Sequence, residues 1–192
     1  MVRVAPTHFV ERETDNSFEG ALAAWADPKD GQPDSGDYPF VFDVVNIALL
    51  GRRTLPALEG VQISAFAHEM RAFDSEQSFD RSQSGEVKFA AESFIPAGLF
   101  SPQGEKTSPP ESTAIFTGRV LDCNTLENPL MDKHFIWALV QTLGGRYDVV
   151  AAPAVVEGSV VTGGIVTGSF WLCGLLPPTE SGFLQRIIGR WT

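Results

Sequence analysis

Residues 163–176, GGIVTGSFWLCGLL, form the longest apolar run in the chain, with two glycines in front and Pro177-Pro178 behind. A bilayer-spanning helix takes about 20 apolar residues, so this run is too short to be one. Its β-branched and aromatic side chains (Ile165, Val166, Thr167, Phe170, Trp171) favour an extended strand. Three further glycine-punctuated runs lead into it. The run therefore reads as the closing strand of a small antiparallel β-barrel, and the chain as mainly β.

Before that block, the first 16 residues hold a short strand and then turn polar. Ser17 followed by Ala21-Leu22-Ala23-Ala24-Trp25 predicts one or two helical turns, with Ser17 as N-cap and Pro28 just past the end. Residues 27–38, DPKDGQPDSGDY, are a loop. The apolar runs 40–50 and 61–73 predict strands, separated by Gly51-Arg52-Arg53 and Pro56. In the second, Ile63, Ala65 and Ala67 fall on one face and Ser64, Phe66, His68 and Met70 on the other. Residues 75–85 predict a loop or a single helical turn, and 88–100 a strand up to Pro96. Residues 101–112, SPQGEKTSPPES, are the best linker in the chain. The expected organisation is an acidic β-rich part over 1–100, the linker 101–112, a barrel over 113–177, and an amphipathic helix over 182–192. That helix would present Phe183, Leu184, Ile187, Ile188 and Trp191 as one apolar stripe.

Within 113–177 the order is a strand over 115–124, a turn at Asn128-Pro129, and a strand over 134–143. A Gly144-Gly145 hairpin, a strand over 146–152, and a short helix or irregular connection over 153–161 follow, before the apolar run. Two adjacent glycines accept the positive φ of primed hairpin turns. A faint echo links 93–100, SFIPAGLF, to 169–176, SFWLCGLL, which would fit a structural duplication with the N-terminal part repeating the barrel.

The phrasing FTGRVLDC, FIWALVQTLGGRYDVVA and VTGGIVTGSFWLCG resembles the oligonucleotide/oligosaccharide-binding fold over about 65 residues. The resemblance is one of strand pattern and carries no catalytic motif. It implies a binding face on the barrel, for which the candidate residues are Trp137, Tyr147, Arg119, Arg146 and His134. A nucleic-acid face interleaves aromatics with bases. Here Trp137, Tyr147, Phe170 and Trp171 meet only Arg119, Lys133 and Arg146 as charges.

The formal charge of −10 argues further against nucleic acid and anionic membranes as partners. Residues 1–112 hold 18 acids against 9 bases and residues 113–192 hold 6 against 5, so only the C-terminal part escapes that argument. His8, His68 and His134 share no metal-ligand spacing. His68 and Glu69, adjacent in a strand, are expected on opposite faces and so unable to act together. Cys123 or Cys173 with His134 and Asp148 could compose a thiol site, yet nothing nearby marks a lowered thiol pKa. The glycines at 163, 164 and 168 lack the ending of a phosphate loop, and the acidic loop at 27–34 lacks the spacing of a calcium loop. No cofactor or metal is expected. The start MVRVAPTHFVERE has no apolar signal core, so the expected compartment is the cytoplasm, with both thiols free.

The functional expectation is a non-catalytic binding or assembly module contacting protein or a small ligand, with 182–192 docking on the chain itself or on a second copy. The alternative is a small enzyme with a site between the two halves, using His68, His134 or Asp148 as acid–base groups. Single-stranded nucleic-acid binding by the barrel is the weakest of the three.

Overall fold

The apolar run is a strand, and two separate sets of strands wrap around it. The computed structural model describes residues 2–12, 20–30, 32–47, 54–84, 88–100 and 109–177. The strands are β1 (Val2–Val10), β2 (Ala21–Ala26), β3 (Pro39–Val44), β4 (Glu59–Phe73), β5 (Ser93–Ile95), β6 (Thr113–Asn128), β7 (Lys133–Thr142), β8 (Gly145–Ala151), β9 (Val156–Glu157) and β10 (Ile165–Leu175). The one α-helix among the described residues is α1 (Glu76–Ser82), capped by the Ser75 hydroxyl, which accepts from the Ser78 amide. The fold is mainly β, as expected. The stretch 182–192, the Ser17 cap and most of the linker lie outside the described residues. Among the described residues no helix is long and apolar enough to cross a membrane.

β10 pairs antiparallel along its whole length with β4 from Gln62 to Phe73, and the two form a seam. At one end of the seam, β1 pairs with β4 and β3 runs parallel to β10, closing a ring in the order β1-β2-β3-β10-β4. At the other end, β6 pairs with β10 and β8 runs parallel to β4, closing a second ring in the order β6-β7-β8-β4-β10. The second ring is the one the sequence foreshadowed, but residues 113–177 do not close it alone. Its fifth strand is β4, from the N-terminal part.

The two rings have the same connectivity. Each is an antiparallel three-strand meander followed by a long strand that pairs antiparallel with the first strand of its own meander. That long strand then runs parallel to the third strand of the other meander. Each half thus lends its fourth strand to the other half's ring. The repeat of connectivity runs between β1–β4 and β6–β10, not between the segments the sequence echo had aligned. In that echo only the phenylalanines correspond: Phe94 and Phe170 both stack on Phe116, with centroids 5.7 and 3.9 Å away. Beyond them one copy becomes a 3-10 turn at Ala97–Leu99 and the other continues as β10.

Other expectations need correcting. Ala21–Ala26 is a strand, not a helix, because β1 and β3 hydrogen-bond it on both sides. The 88–100 strand shrinks to β5. The hairpin after β7 closes at Thr142 and Gly145, so its central residues are Leu143 and Gly144. Only Gly144 of these two has positive φ, at +77°, so the turn is not of the primed kind. A Cβ at Gly144 would also sit 2.6 Å from the Tyr38 hydroxyl.

One apolar core fills both rings: Val2, Leu22, Phe40 and Phe42 from the first pack with Phe116, Tyr147, Phe170 and Leu172 from the second. Tyr38 ties the halves together. Its hydroxyl donates to Leu143 O at 2.6 Å and lies 3.1 Å from that of Tyr147. Burial raises both phenols well above the usual tyrosine range.

Candidate functional site

Because the inner face of the seam is core, its outer face is what the fold offers to a ligand. Directly paired residues share a face, so the register places side chains in cross-strand rows. One outer row runs Thr113, Trp171, Phe66, Val150, Trp137 across β6, β10, β4, β8 and β7. Within it the rings of Phe66 and Trp171 lie 5.5 Å apart at 37°. They remain 38% and 40% exposed, high for large aromatics in the middle of a sheet. The next row runs Asp43, Cys173, Ser64, Asp148, Leu139, Asp122.

These two rows are hydrogen-bonded to each other. The Trp171 indole donates to Asp43 Oδ2 at 2.6 Å, and the Trp137 indole donates to Asp148 Oδ1 at 3.0 Å. Asp43 also accepts from Arg12 at 2.8 Å and from the Ser112 hydroxyl at 2.6 Å. Asp148 accepts from the Gln62 amide but forms no ion pair among the described residues. The indole N–H groups are therefore satisfied from the side while the rings face outward.

On the other flank of the aromatic pair, β4 carries a bulge. Ser169 opposes Glu69 and Phe170 opposes Ala67, leaving His68 unpaired. A bulge inserts one residue and shifts the alternation. As a result His68 and Glu69 are both exposed, whereas Met70 joins the core. The sequence reading had set His68 and Glu69 on opposite faces and Met70 with Phe66; the bulge overturns both. A groove of about 640 Å³ opens here, lined by His68, Glu69, Arg71, Ile115, Ser169 and Glu157 among others. Arg71 pairs with Glu157 at 3.0 Å and lies over the Phe73 ring, 5.3 Å from its centroid. One wall of the groove is the 3-10 turn Pro153–Val155 with β9, which pairs parallel with Met70 and Arg71.

The five residues singled out from sequence do not converge. Trp137 lies in the aromatic row. Tyr147 is a core residue with 0% exposure. Arg119 pairs with Glu76 of α1 at 2.6 Å. Arg146 donates to the Gln141 side chain beside a smaller pocket of about 390 Å³ that also includes Arg3, Asp27 and Asp37. His134 opposes Glu127 near the far end of the β6–β7 hairpin. Phe66, Asp43 and the His68 bulge were missed. The available signal was Phe66 itself, a large aromatic on the polar side of the strand's alternation.

Among the described residues no group of three His, Cys, Asp or Glu could hold a metal ion. In the 27–34 loop Asp27 is paired with Arg3, and beyond it Asp37 is paired with Lys29. Both cysteines are free thiols. Burial, helped by Asp43, pushes the Cys173 thiol up to about 12, far from a nucleophilic thiolate. Comparison with known proteins adds nothing to this geometry: no family model, curated protein or solved structure matches the chain.

Proposed function

We propose that this protein is a non-catalytic binding module that takes its ligand, a protein segment or a small molecule, on the outer face of the seam. One observation carries the reading. Two large aromatics stay exposed on a doubly paired, and hence rigid, stretch of sheet, with the nearer indole locked by Asp43. Rigid aromatic anchors supply contact area at little cost in ordering. The strand pattern that resembles the oligonucleotide/oligosaccharide-binding fold agrees with a ligand on a sheet face. A cytoplasmic setting agrees with two free thiols. A 1H–15N NMR screen with small aromatic and cationic fragments tests the proposal. Shifts are expected to cluster on residues 64–71, 113–115, 148–150 and 167–171. A cluster elsewhere would remove the face from consideration.

A second reading, a small enzyme with a site between the halves, draws on His68 and Glu69 standing together in a groove built from both parts of the chain. Its test is pull-down of a substrate-like fragment lost in His68→Ala but kept in Trp171→Ala. Nucleic-acid binding is proposed to be negligible at physiological salt, given the charge of −10. Sub-micromolar, steeply salt-dependent binding of an oligonucleotide would reverse that. Residues 182–192 are proposed to dock on the chain itself. Deleting them should lower stability at unchanged mass, whereas a halved mass would reveal a dimer.

A further inference from the structure

We infer that the ligand of the seam's outer face is cationic: an arginine- or lysine-bearing segment of a partner protein laid across Phe66 and Trp171. This inference rests on the binding-module reading and narrows it. The aromatic pair is flanked by carboxylates on both sides, Glu69 along β4 beyond the bulge and Asp148 in the adjacent row. Neither has an ion-pair partner among the described residues. Among the described residues Arg12 is held by Asp43 and Arg71 by Glu157. Arg146 keeps its charge, since its partner is the neutral Gln141 side chain, but it stands toward the Gly145 turn on the side of Asp148 away from the aromatic row, and His68 stands beside Glu69.

The face therefore offers ring surfaces between two carboxylates that no ion pair among the described residues neutralises. A guanidinium or ammonium gains from both at once, since cations are attracted to the faces of Trp and Phe and to carboxylates. A phosphate or carboxylate ligand would meet repulsion from the same groups. The protein already uses the combination within itself, because Arg71 lies over Phe73 while paired with Glu157. That pair lies on the same outer face, a few residues further along β4. Extended peptide length also fits: Trp171 to Trp137 spans three strand spacings, roughly 14 Å, or about four extended residues.

The test is titration of the full chain with the peptide Gly-Arg-Gly-Arg-Gly-Arg, read by NMR shifts of Phe66, Trp171 and Val150 and by tryptophan fluorescence. Equal-length Gly-Glu and Gly-Ser peptides serve as comparisons. The arginine peptide is expected to bind more tightly than the neutral one and to weaken as salt is added. Trp171→Ala should weaken it roughly tenfold, and the double variant Asp148→Asn with Glu69→Gln by a similar factor. The double variant keeps side-chain size, and Asp148→Asn retains an oxygen that can accept from the Trp137 indole, so it tests the charge even if Trp171→Ala unfolds. A remote pair on the hairpin, Glu127→Gln with Asp132→Asn, should change binding less than twofold. If the remote pair weakens binding as much, the attraction is general acidity and the inference fails. If the neutral peptide binds this face as well as the arginine peptide, the cationic class is wrong while the binding face stands. If no peptide and no fragment moves these residues, both fall.

Discussion

The two rings share a connectivity and a seam, yet they differ in how far their outer faces are covered. In the second ring β8 alternates strictly, with Tyr147, Val149 and Ala151 buried and Arg146, Asp148 and Val150 outside. In the first ring β2 is buried at Ala21, Leu22, Ala24 and Ala26, and β3 at Phe40, Val41, Phe42 and Val44. Part of the first ring's outer face is covered: Val10, Ala21 and Val41 form a small second cluster with Leu99 from the 3-10 turn packed on it. Among the described residues the second ring keeps its outer face open, and there stand Trp137, Trp171 and Phe66. The same backbone thus serves once as a partly covered scaffold and once as a presenting surface. What differs is which face the intervening segments cover.

The seam should be where that comparison breaks first, because both rings need it. At Gly174 a Cβ would lie 2.4 Å from the Phe42 ring and 3.2 Å from Val61, a contact between the halves. Gly174→Val is expected to unfold the chain, read as loss of amide dispersion in both rings at once. Loss confined to the first ring would show that the rings fold independently. Phe170→Ala comes next. Phe170 is fully buried against Phe116, and its removal should cost about 3–5 kcal/mol by urea denaturation. Its neighbour Trp171, pointing the other way, should cost clearly less when truncated.

A smaller effect concerns the link between the halves. The chain has two tyrosines, Tyr38 and Tyr147, and they are bonded to each other. Tyr38→Phe removes a buried donor and leaves the Leu143 carbonyl without it, for an expected loss of about 1–3 kcal/mol. Both phenols and the Cys173 thiol have folded pKa values raised above their unfolded values of 10.0 and 9.0. The folded state therefore holds these protons more tightly. The stabilisation is fully present below about pH 9 and is lost as pH rises toward 12. Phenolate absorbance at 295 nm should appear only together with unfolding. A phenolate signal near pH 10 in folded protein would mean that the Tyr38–Tyr147 link is open to water.

The smallest effect is expected at the tip of the β6–β7 hairpin, where Leu130 and Met131 are 94% and 63% exposed. Leu130→Asn with Met131→Gln should change stability by no more than about 0.5 kcal/mol each. A larger change would mean the tip packs against something, and the second ring would be less open than its outer face suggests.

The misreading of β2 has the same origin as the difference between the rings. Ala21-Leu22-Ala23-Ala24-Trp25 has no polar residue to mark its outer face, although burial alternates from Leu22 to Ala26, and alanine-rich sequence without a polar–apolar period reads as helix. Where one face stays open, as in β7 and β8, the alternation survives and the strands were legible. The candidate site was legible only in fragments. Trp137 and Trp171 stood out as aromatics, but nothing local separates them from Tyr147 and Phe170, which are core. The bulge at His68 was invisible because it depends on the partner strand's count of residues.

By itself, then, the sequence determined the β class, the strand at the centre of the 163–176 run, the β7–β8 hairpin and the acidic composition, since each follows from local composition and spacing. Only the tertiary structure decided that β4 closes the second ring and that the chain is two meanders exchanging their fourth strands. The same holds for the row in which Phe66, Trp171, Asp43 and Asp148 meet. Those facts rest on pairings between residues more than 80 positions apart in several cases, such as Ser64 with Asp148. A strand's own residues state which face is apolar, but its hydrogen-bonding edges are the same backbone groups whatever the sequence. Which strand fills an edge is settled by the shared core, and so belongs to the whole fold.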